Sequence, residues 1–245
     1  MSTAANTNIS LNALLTPSSI ILALSLTTSL LYGLLLVHVP PSPTRTFNKT
    51  ASTALLALLA HLHSTNQPLL PAALALGSAG DFFLALPEST FKGDDTAFLA
   101  GLSSFLAAHL LYVKIFYAAG TLSPDHVFAD LLNSLSSWRI LLAGFLTLGF
   151  APIMLAQLVP RVERGLRAPI IVYTTAIVTM VLAALTIKDN GRALVGAVLF
   201  MASDAILAAD RFLVAPASHH QGWMPYAVWG LYYSGQLLIT LGLIY

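Results

Sequence analysis

Two carboxylates lie inside apolar stretches of the chain, where an acidic side chain is costly. Asp81 stands in the sequence Gly-Asp-Phe-Phe-Leu-Ala, and Asp204 stands in Ser-Asp-Ala-Ile-Leu-Ala. An ionisable group within a membrane-spanning segment is a functional candidate by default. The chemistry open to a pair of such groups is proton transfer, in an enzyme or in a proton-coupled carrier. The alternative is that each is a packing residue, satisfied by a neighbouring Ser, Tyr or Lys.

The two carboxylates also share a short motif, which is a small residue followed by Asp-x-x-Leu-Ala. The copies lie four predicted helices apart, and because four is even they cross the membrane in the same direction. That is the arrangement of a parallel repeat, with a pseudo-twofold axis along the membrane normal. His109-Leu-Leu and Gln236-Leu-Leu in the following helices add a weaker match. The pattern is compatible with two parallel four-helix repeats, although the match is only six residues long.

Polar side chains on neighbouring stretches are candidates for the same site. His109 and Gln236 each stand in an aromatic stripe at helical spacing, and each needs a hydrogen-bond partner in lipid. Lys49 opens the second apolar stretch, and Arg211 lies about two turns beyond Asp204. Either cation could bind an anionic group or anchor a helix end at the membrane surface. The other candidates are hydroxyl-bearing residues of the same segments: Tyr112, Tyr173, Ser203 and Tyr233.

Eight apolar stretches would carry these residues. A helix needs about 20 mostly apolar residues to cross the hydrocarbon core. Prolines mark many boundaries, and we expect Pro169 and Pro225 to open helices and Pro152 to kink one. The predicted fold is an all-α polytopic bundle of eight transmembrane helices, a single domain over residues 1–245. The predicted spans are Pro17–Val39, Lys49–His63, Pro68–Leu86, Asp95–Ala118, Ser137–Leu158, Ala168–Ile187, Arg192–Val214 and Trp223–Ile244.

The composition excludes several classes of protein. Of the 245 residues, 57% are apolar and 9% are charged, whereas soluble domains carry about 25% charged residues. A soluble enzyme, a coiled coil and a disordered chain are thereby excluded, and a net charge of +1 leaves no basic stripe for nucleic acid. The chain has no cysteine, and its histidine pairs lack the convergent ligand set that zinc requires. We therefore expect no metal and no other cofactor.

The order and spacing of the intramembrane residues resemble one known family. The residues that carry the resemblance are Gly80, Asp81, Leu84, Phe98, Gly101, Phe105, His109, Tyr112, Gly196, Ala197, Phe200, Ser203, Asp204, Leu207, Ala208, Tyr233 and Gln236. This pattern resembles the YhhN family of eight-span membrane proteins, which includes the lysoplasmalogenases (alkenylglycerophospholipid hydrolases). The resemblance runs from the second span to the eighth, and Lys49 falls where the family commonly has a lysine.

The resemblance implies hydrolysis of the vinyl ether bond of an alkenyl lysophospholipid. The products would be a fatty aldehyde and glycerophosphoethanolamine or glycerophosphocholine. Such a bond is cleaved by protonation of its β-carbon, which leaves an oxocarbenium ion to which water adds. Asp81 and Asp204 would form the catalytic dyad, because carboxyls that share a site of low dielectric constant hold one proton between them. The implied substrate-binding residues are Lys49, His109, Tyr112, Tyr173, Ser203, Arg211, Tyr233 and Gln236.

The implied partners are the lysophospholipid substrate and the lipid bilayer, with no nucleic acid. The chain would act as a monomer or a homodimer. As a multi-pass integral membrane protein, it is expected in the endoplasmic reticulum or another endomembrane if its source is eukaryotic.

Two other functions compete with this interpretation. Intramembrane aspartyl proteases also have two aspartates on two helices, but here the Gly-Asp pair comes first and no Pro-Ala-Leu motif follows. A proton-coupled transporter of a small or amphiphilic solute fits paired intramembrane carboxylates and a parallel repeat. Activity of detergent-purified protein on a lipid, without any gradient, separates the hydrolase from the transporter.

Overall fold

The computed structural model describes residues 16–63, 67–87, 90, 96–120, 137–187, 190–215 and 219–245. Within these ranges the chain forms eight consecutive helical rods and no strand, which confirms the all-helical prediction. The rods are α1 (Pro17–Leu31, continued by a π-helical turn Tyr32–Leu36), α2 (Pro43–Leu62), α3 (Leu70–Ala85), α4 (Thr96–Ala119), α5 (Ser137–Gly144, a π-helical stretch Phe145–Phe150, and Ala151–Leu158), α6 (Arg164–Ala184), α7 (Gly191–Phe212) and α8 (Met224–Ile244). A short 3-10 turn, His219–Gly222, precedes α8.

Six of the rods are long and apolar enough to cross a membrane, namely α1, α4, α5, α6, α7 and α8. The chain is therefore an integral membrane protein. The other two rods depart from this pattern for different reasons. The α3 helix is apolar but has only 16 residues, fewer than the roughly 20 that a straight crossing needs. The α2 helix has 20 residues, but its first two turns are rich in Thr, Asn, Lys and Arg.

Contacts at the helix ends give the directions of the rods. At one end of the bundle, which we call the proximal end, Arg45 near the start of α2 donates to the carbonyl of Ala85 at the end of α3 (3.3 Å). At the opposite, distal end, the rings of His63 and Tyr245 lie 5.4 Å apart. Because His63 follows α2 and Tyr245 follows α8, these helices run in the same direction. The α2 and α3 helices run in opposite directions between the two ends.

The second helix begins earlier than its predicted start at Lys49. Its first residue is Pro43, and the side chain of Ser42 accepts a hydrogen bond from the backbone N–H of Arg45 (3.3 Å). A serine N-cap followed by proline in the first turn is a strong helix start. The capping residues start the helix in this polar turn, whereas hydropathy alone had assigned the turn to a loop.

The prolines behave differently from one helix to the next. Pro225 lies in the first turn of α8, as predicted. The prediction for Pro169 was wrong, because α6 begins at Arg164 and Pro169 lies inside it. The fifth helix is irregular where a kink was expected, since the π-helical stretch Phe145–Phe150 ends just before Pro152. Proline and π-helical turns are common causes of distortion in long helices.

The α7 and α8 helices form the most extensive helix pair of the bundle. Their backbones approach closely at two glycines: a Cβ built on Gly196 would lie 2.7 Å from the carbonyl oxygen of Gly235, and one on Gly235 would lie 2.8 Å from that of Gly196. At the distal end, the side-chain amide of Asn190 donates to the carbonyl of Gly242. Small residues allow this close approach of helices in a membrane. This close packing fixes the polar residues of the two helices in position relative to one another.

Candidate functional site

Asp204, on α7, is hydrogen-bonded through one of its two oxygens. Its Oδ2 accepts a hydrogen bond from the hydroxyl of Tyr173 on α6 at 2.6 Å. The same oxygen lies 3.1 Å from Nε2 of His109 on α4. No side chain or backbone group of the described ranges bonds to Oδ1, and the side chain is 12% exposed. One oxygen is thus held in place while the other is available to a ligand.

His109 is completely buried, and its surroundings favour one tautomer. Nε2 has two oxygen neighbours, those of Asp204 and Tyr173, whereas Nδ1 has no hydrogen-bond partner among the described residues. A proton on Nδ1 would be an unpaired buried donor, which is costly. Of the two neutral tautomers, the one with its proton on Nε2 satisfies this site better, and it then donates to Asp204. Ring contacts with Phe200 (4.6 Å between centroids) and Tyr173 (5.3 Å) fix the imidazole plane.

Asp81, on α3 near the proximal end, is enclosed by donors. Its Oδ2 accepts hydrogen bonds from the hydroxyls of Thr53 (2.9 Å) and Tyr232 (2.8 Å). The ammonium of Lys49 lies 3.9 Å from Oδ1. The residue is 1% exposed. A buried carboxylate with a cation and two hydroxyl donors is a satisfied group, and removal of any partner would be costly.

A layer of aromatic rings separates the two carboxylates. The fully buried ring of Phe200 has its centroid 5.2 Å from that of Tyr232 and 4.6 Å from that of His109. Tyr232 bonds to Asp81, and His109 contacts Asp204. Within the described part of the chain no hydrogen bond joins the two carboxylates directly. Their clusters meet through ring contacts instead.

The two clusters are related in the way that an internal repeat predicts. Asp81 of α3 has partners on α2 and α8, and Asp204 of α7 has partners on α6 and α4. A shift of four helices, counted around the set of eight, converts the first group of helices into the second. This agreement supports the parallel four-helix repeat, which stays a prediction.

Gln236 and Tyr112 form a hydrogen-bonded pair next to Tyr232 of the Asp81 cluster. The Tyr112 hydroxyl donates to Oε1 of Gln236 at 2.6 Å, and both side chains are fully buried. Gly77 leaves room for the amide, because a Cβ at that position would lie 2.9 Å from Gln236 Nε2 and 3.3 Å from the Tyr232 hydroxyl. These two predicted site residues therefore join α4 to α8 next to Tyr232.

An apolar cavity lies beside Asp204. Its walls come from α3, α4, α5, α6 and α7, and its polar lining consists of Asp204, Tyr173 and Thr174. Asp81 does not line it. A largely apolar pocket with a few convergent polar groups is the usual form of a small-molecule site. This cavity can hold a hydrocarbon segment and present a bond to the available oxygen of Asp204.

The two predicted cationic anchors have different surroundings. The guanidinium of Arg211 lies 4.1 Å from the ring centroid of Phe98, which lines the cavity. Arg211 follows Asp204 by seven residues, or about 10 Å along the helix axis. Lys49 faces Asp81 and lies 5.9 Å from the ring centroid of Tyr32. Arg211 thus lies against a cavity-lining ring on the proximal side of Asp204, whereas Lys49 belongs to the Asp81 cluster.

Two predicted site residues make packing contacts away from both carboxylates. The Ser203 hydroxyl donates to the carbonyl of Val228 (2.9 Å) and ties α7 to α8. The Tyr233 hydroxyl pairs with that of Ser25 on α1 at 2.8 Å. Their proposed role in substrate binding stays a prediction.

Two partners of Asp81, Thr53 and Tyr232, were absent from the sequence-based candidates. Thr53 follows Lys49 by four residues, and Tyr232 precedes Gln236 by four. Residues four apart share one face of a helix. That spacing from residues already identified is the signal that could have found both.

Histidine and carboxylate side chains of the described ranges form no group of three or more that could hold a metal ion.

The family model of the YhhN family matches residues 44–243, well over half of the chain. A lysoplasmalogenase of Mycobacterium bovis is 29% identical over 192 residues, which are 77% of this chain and 65% of that protein. Lysoplasmalogenase TMEM86B of Mus musculus is 30% identical over 176 residues, 71% of this chain and 62% of that protein. The chain thus covers slightly less than two thirds of the length of these relatives. No solved structure matches it.

Proposed function

The chain belongs to the YhhN family, and from this membership we propose that it is a lysoplasmalogenase-like hydrolase of alkenyl lysophospholipids. The proposed products are a fatty aldehyde and glycerophosphoethanolamine or glycerophosphocholine. Relatives named lysoplasmalogenase at 29% and 30% identity support the substrate class. The observation that carries the proposal is the available Oδ1 of Asp204 beside an apolar cavity, with Arg211 against the cavity-lining ring of Phe98.

In this proposal Asp204 acts first as the acid and then as the base. Its protonated carboxyl gives a proton to the β-carbon of the vinyl ether, which leaves an oxocarbenium ion and an aspartate anion. Water then adds to the α-carbon and gives a proton back to Asp204. The resulting hemiacetal collapses as its hydroxyl proton moves to the leaving ether oxygen, which frees the aldehyde and the glycerol hydroxyl. One water is consumed, and Asp204 ends in its starting state.

Asp81 is the second carboxylate of the proposed aspartate dyad. Because the rings of Phe200 and Tyr232 stand between it and the Asp204 cluster, we assign it a positioning and electrostatic role. A fixed charge in a site of low dielectric constant acts more strongly than one in bulk solvent. In this scheme Lys49 and Thr53 hold Asp81 and do not touch the substrate.

The head group is proposed to bind on the proximal side of Asp204. Arg211 is always charged, and its planar guanidinium can pair with two oxygens of a phosphate. The separation of about 10 Å between Arg211 and Asp204 along α7 leaves space for the glycerol backbone between phosphate and vinyl ether. His109 and Tyr173 hold the reacting carboxyl in this arrangement.

We also propose that α2 and α3 cross the membrane, which gives eight crossings. The support is that α2 connects the same two ends as α8, and α3 returns from the distal to the proximal end beside it. An endomembrane such as the endoplasmic reticulum is the proposed location for a eukaryotic source, with the protein as a monomer or homodimer.

The direct test is aldehyde release by the full chain purified in detergent. Alkenyl lysophospholipids with choline and with ethanolamine head groups are the substrates, and the saturated alkyl ether analogue is the matched control. We expect aldehyde from the alkenyl forms and no cleavage of the alkyl form, which has no double bond to protonate. Inactivity on both alkenyl forms would contradict the proposed function, and uptake by proteoliposomes would then test the transporter.

A further inference from the structure

We propose that the hydrocarbon chain of the substrate leaves the cavity sideways between α4 and α5 and lies in the bilayer. This inference rests on the proposed function and specifies how the same site selects its substrates. The protein would recognise the head group and the ether, while the length of the chain would have little effect on turnover.

The cavity is too short beyond Asp204 to enclose a whole chain. Towards the distal end, its lining on α7 stops at Met201, about 4.5 Å along the axis from Asp204. Beyond that level the bundle is closed by fully buried side chains, among them Phe200 and Tyr112. The chains of one leaflet span about 15 Å, half of the hydrocarbon core. A chain whose ether lies at Asp204 therefore outruns the cavity by about two helical turns.

The α5 helix is the least enclosed wall of the cavity. Only 6% of its most apolar 18-residue stretch is buried inside the protein, whereas the corresponding share is 17% to 39% in the other five candidate spans. It packs mainly on α6, with fewer contacts to α7. It meets the cavity with a stripe of residues four apart: Phe150, Met154 and Leu158. The side of α5 that faces α4 is thus the seam through which a chain can reach lipid.

Phe150 lies at the distal part of this seam, at the end of the π-helical stretch Phe145–Phe150. On α4, Phe105 lines the same cavity. Leu148, in the same π-helical stretch, is 84% exposed and does not line the cavity. A larger side chain at Phe150 would narrow the proposed exit, whereas the same side chain at Leu148 would point away from the cavity.

The test measures kcat/KM of the full chain in lipid vesicles with alkenyl lysophospholipids that differ only in chain length, from shorter to longer than one leaflet. We expect similar values across the series for the wild type. Phe150→Trp should lower kcat/KM for the long chains by roughly tenfold more than for the shortest substrates, because overpacking at the exit hinders a chain that must pass it. Leu148→Trp should behave as the wild type.

Two results would overturn the lateral exit. One is a sharp fall of wild-type kcat/KM above a particular chain length, which indicates a closed chain pocket. The other is an equal loss for short and long chains in a folded Phe150→Trp protein. If that variant does not fold, the wild-type series decides alone. Absence of aldehyde from every member of the series would contradict the proposed function itself.

Discussion

At the scale of single residues, the two buried carboxylates differ in what can reach them. Asp204 lines the cavity, and its Oδ1 has no hydrogen-bond partner among the described residues. Asp81 is instead enclosed by Lys49, Thr53 and Tyr232. The same residue type therefore has two different surroundings. The difference comes from the enclosing helices, since both aspartates follow a small residue and precede the same Leu-Ala pair.

We expect Asp204→Asn to lower kcat for aldehyde release by about 10²–10⁴-fold, the usual contribution of a general acid or base. Asparagine keeps the size of the side chain but cannot give a proton to carbon. Asp81→Asn should lower kcat less and stability more, because it leaves Lys49 without its counter-charge in a buried pair.

The control for both variants is Asp210→Asn, on the same helix as Asp204 and absent from the cavity lining. Activity and thermal unfolding are measured for all three proteins in detergent. A larger loss of kcat in Asp81→Asn than in Asp204→Asn would reverse the roles assigned to the two aspartates.

The hydroxyl of Tyr173 is the shortest contact to Asp204. Tyr173→Phe removes this donor and keeps the ring, so we expect kcat to fall by about tenfold, in line with a hydrogen bond to a charged group. Tyr233→Phe removes a hydroxyl that bonds to Ser25 on α1, away from Asp204, so we expect a smaller fall of kcat than in Tyr173→Phe. Kinetics and unfolding of the two proteins are compared. Equal losses of kcat would mean that Tyr173 has no special part in the reaction.

At the scale of the helices, the α7–α8 crossing carries the geometry of the site. A methyl group at Gly196 would meet the carbonyl of Gly235 at 2.7 Å and the backbone nitrogen of Ile239 at 2.8 Å, and backbone atoms cannot rotate away. We expect Gly196→Ala to cost about 1–3 kcal/mol of stability, as overpacking does, and to lower the unfolding midpoint in detergent.

Gly230→Ala on α8 is the matched comparison for the crossing, because nothing lies within 4 Å of a Cβ at that position. Alanine favours a helix over glycine by about 1 kcal/mol, so this variant should be neutral or more stable. If Gly196→Ala unfolded at the same temperature as Gly230→Ala, the result would contradict the close approach of α7 and α8 at Gly196.

At the scale of the whole molecule, the number of membrane crossings depends on α2 and α3. The protein has eight crossings if the connection between these two helices lies on the side of the membrane opposite to the start of α2, and six if it lies on the same side. The chain has no cysteine, so single cysteines at His38, His63 and Tyr245 can be labelled without background. If α2 crosses, His63 and Tyr245 lie on one side of the membrane and His38 on the other. A membrane-impermeant maleimide on sealed vesicles measures this. Labelling of His38→Cys and His63→Cys from the same side would leave the protein with six crossings.

Composition and local pattern determined much about this protein. The membrane class, the all-helical fold and the approximate extent of most helices follow from apolar runs and prolines, which are properties of short segments. The family resemblance came from the order and spacing of particular intramembrane residues. Capping by Ser42 was also a local signal. Hydropathy alone does not contain it, and for that reason α2 was predicted to start too late. Asp81 and Asp204 could be singled out because a carboxylate in an apolar run is conspicuous without any knowledge of its neighbours.

Only the tertiary structure decided which side chains meet. The α8 helix is apolar or aromatic at most positions, so its stripe containing Gln236 indicated an inward face but not which neighbour each tyrosine meets. Tyr232 and Tyr233 are adjacent and identical in type, yet one bonds to Asp81 and the other to Ser25. The rotation of each helix about its axis is set by close contacts such as Gly196 against Gly235, between residues far apart in the chain. That rotation leaves Asp204 open to the cavity and Asp81 closed.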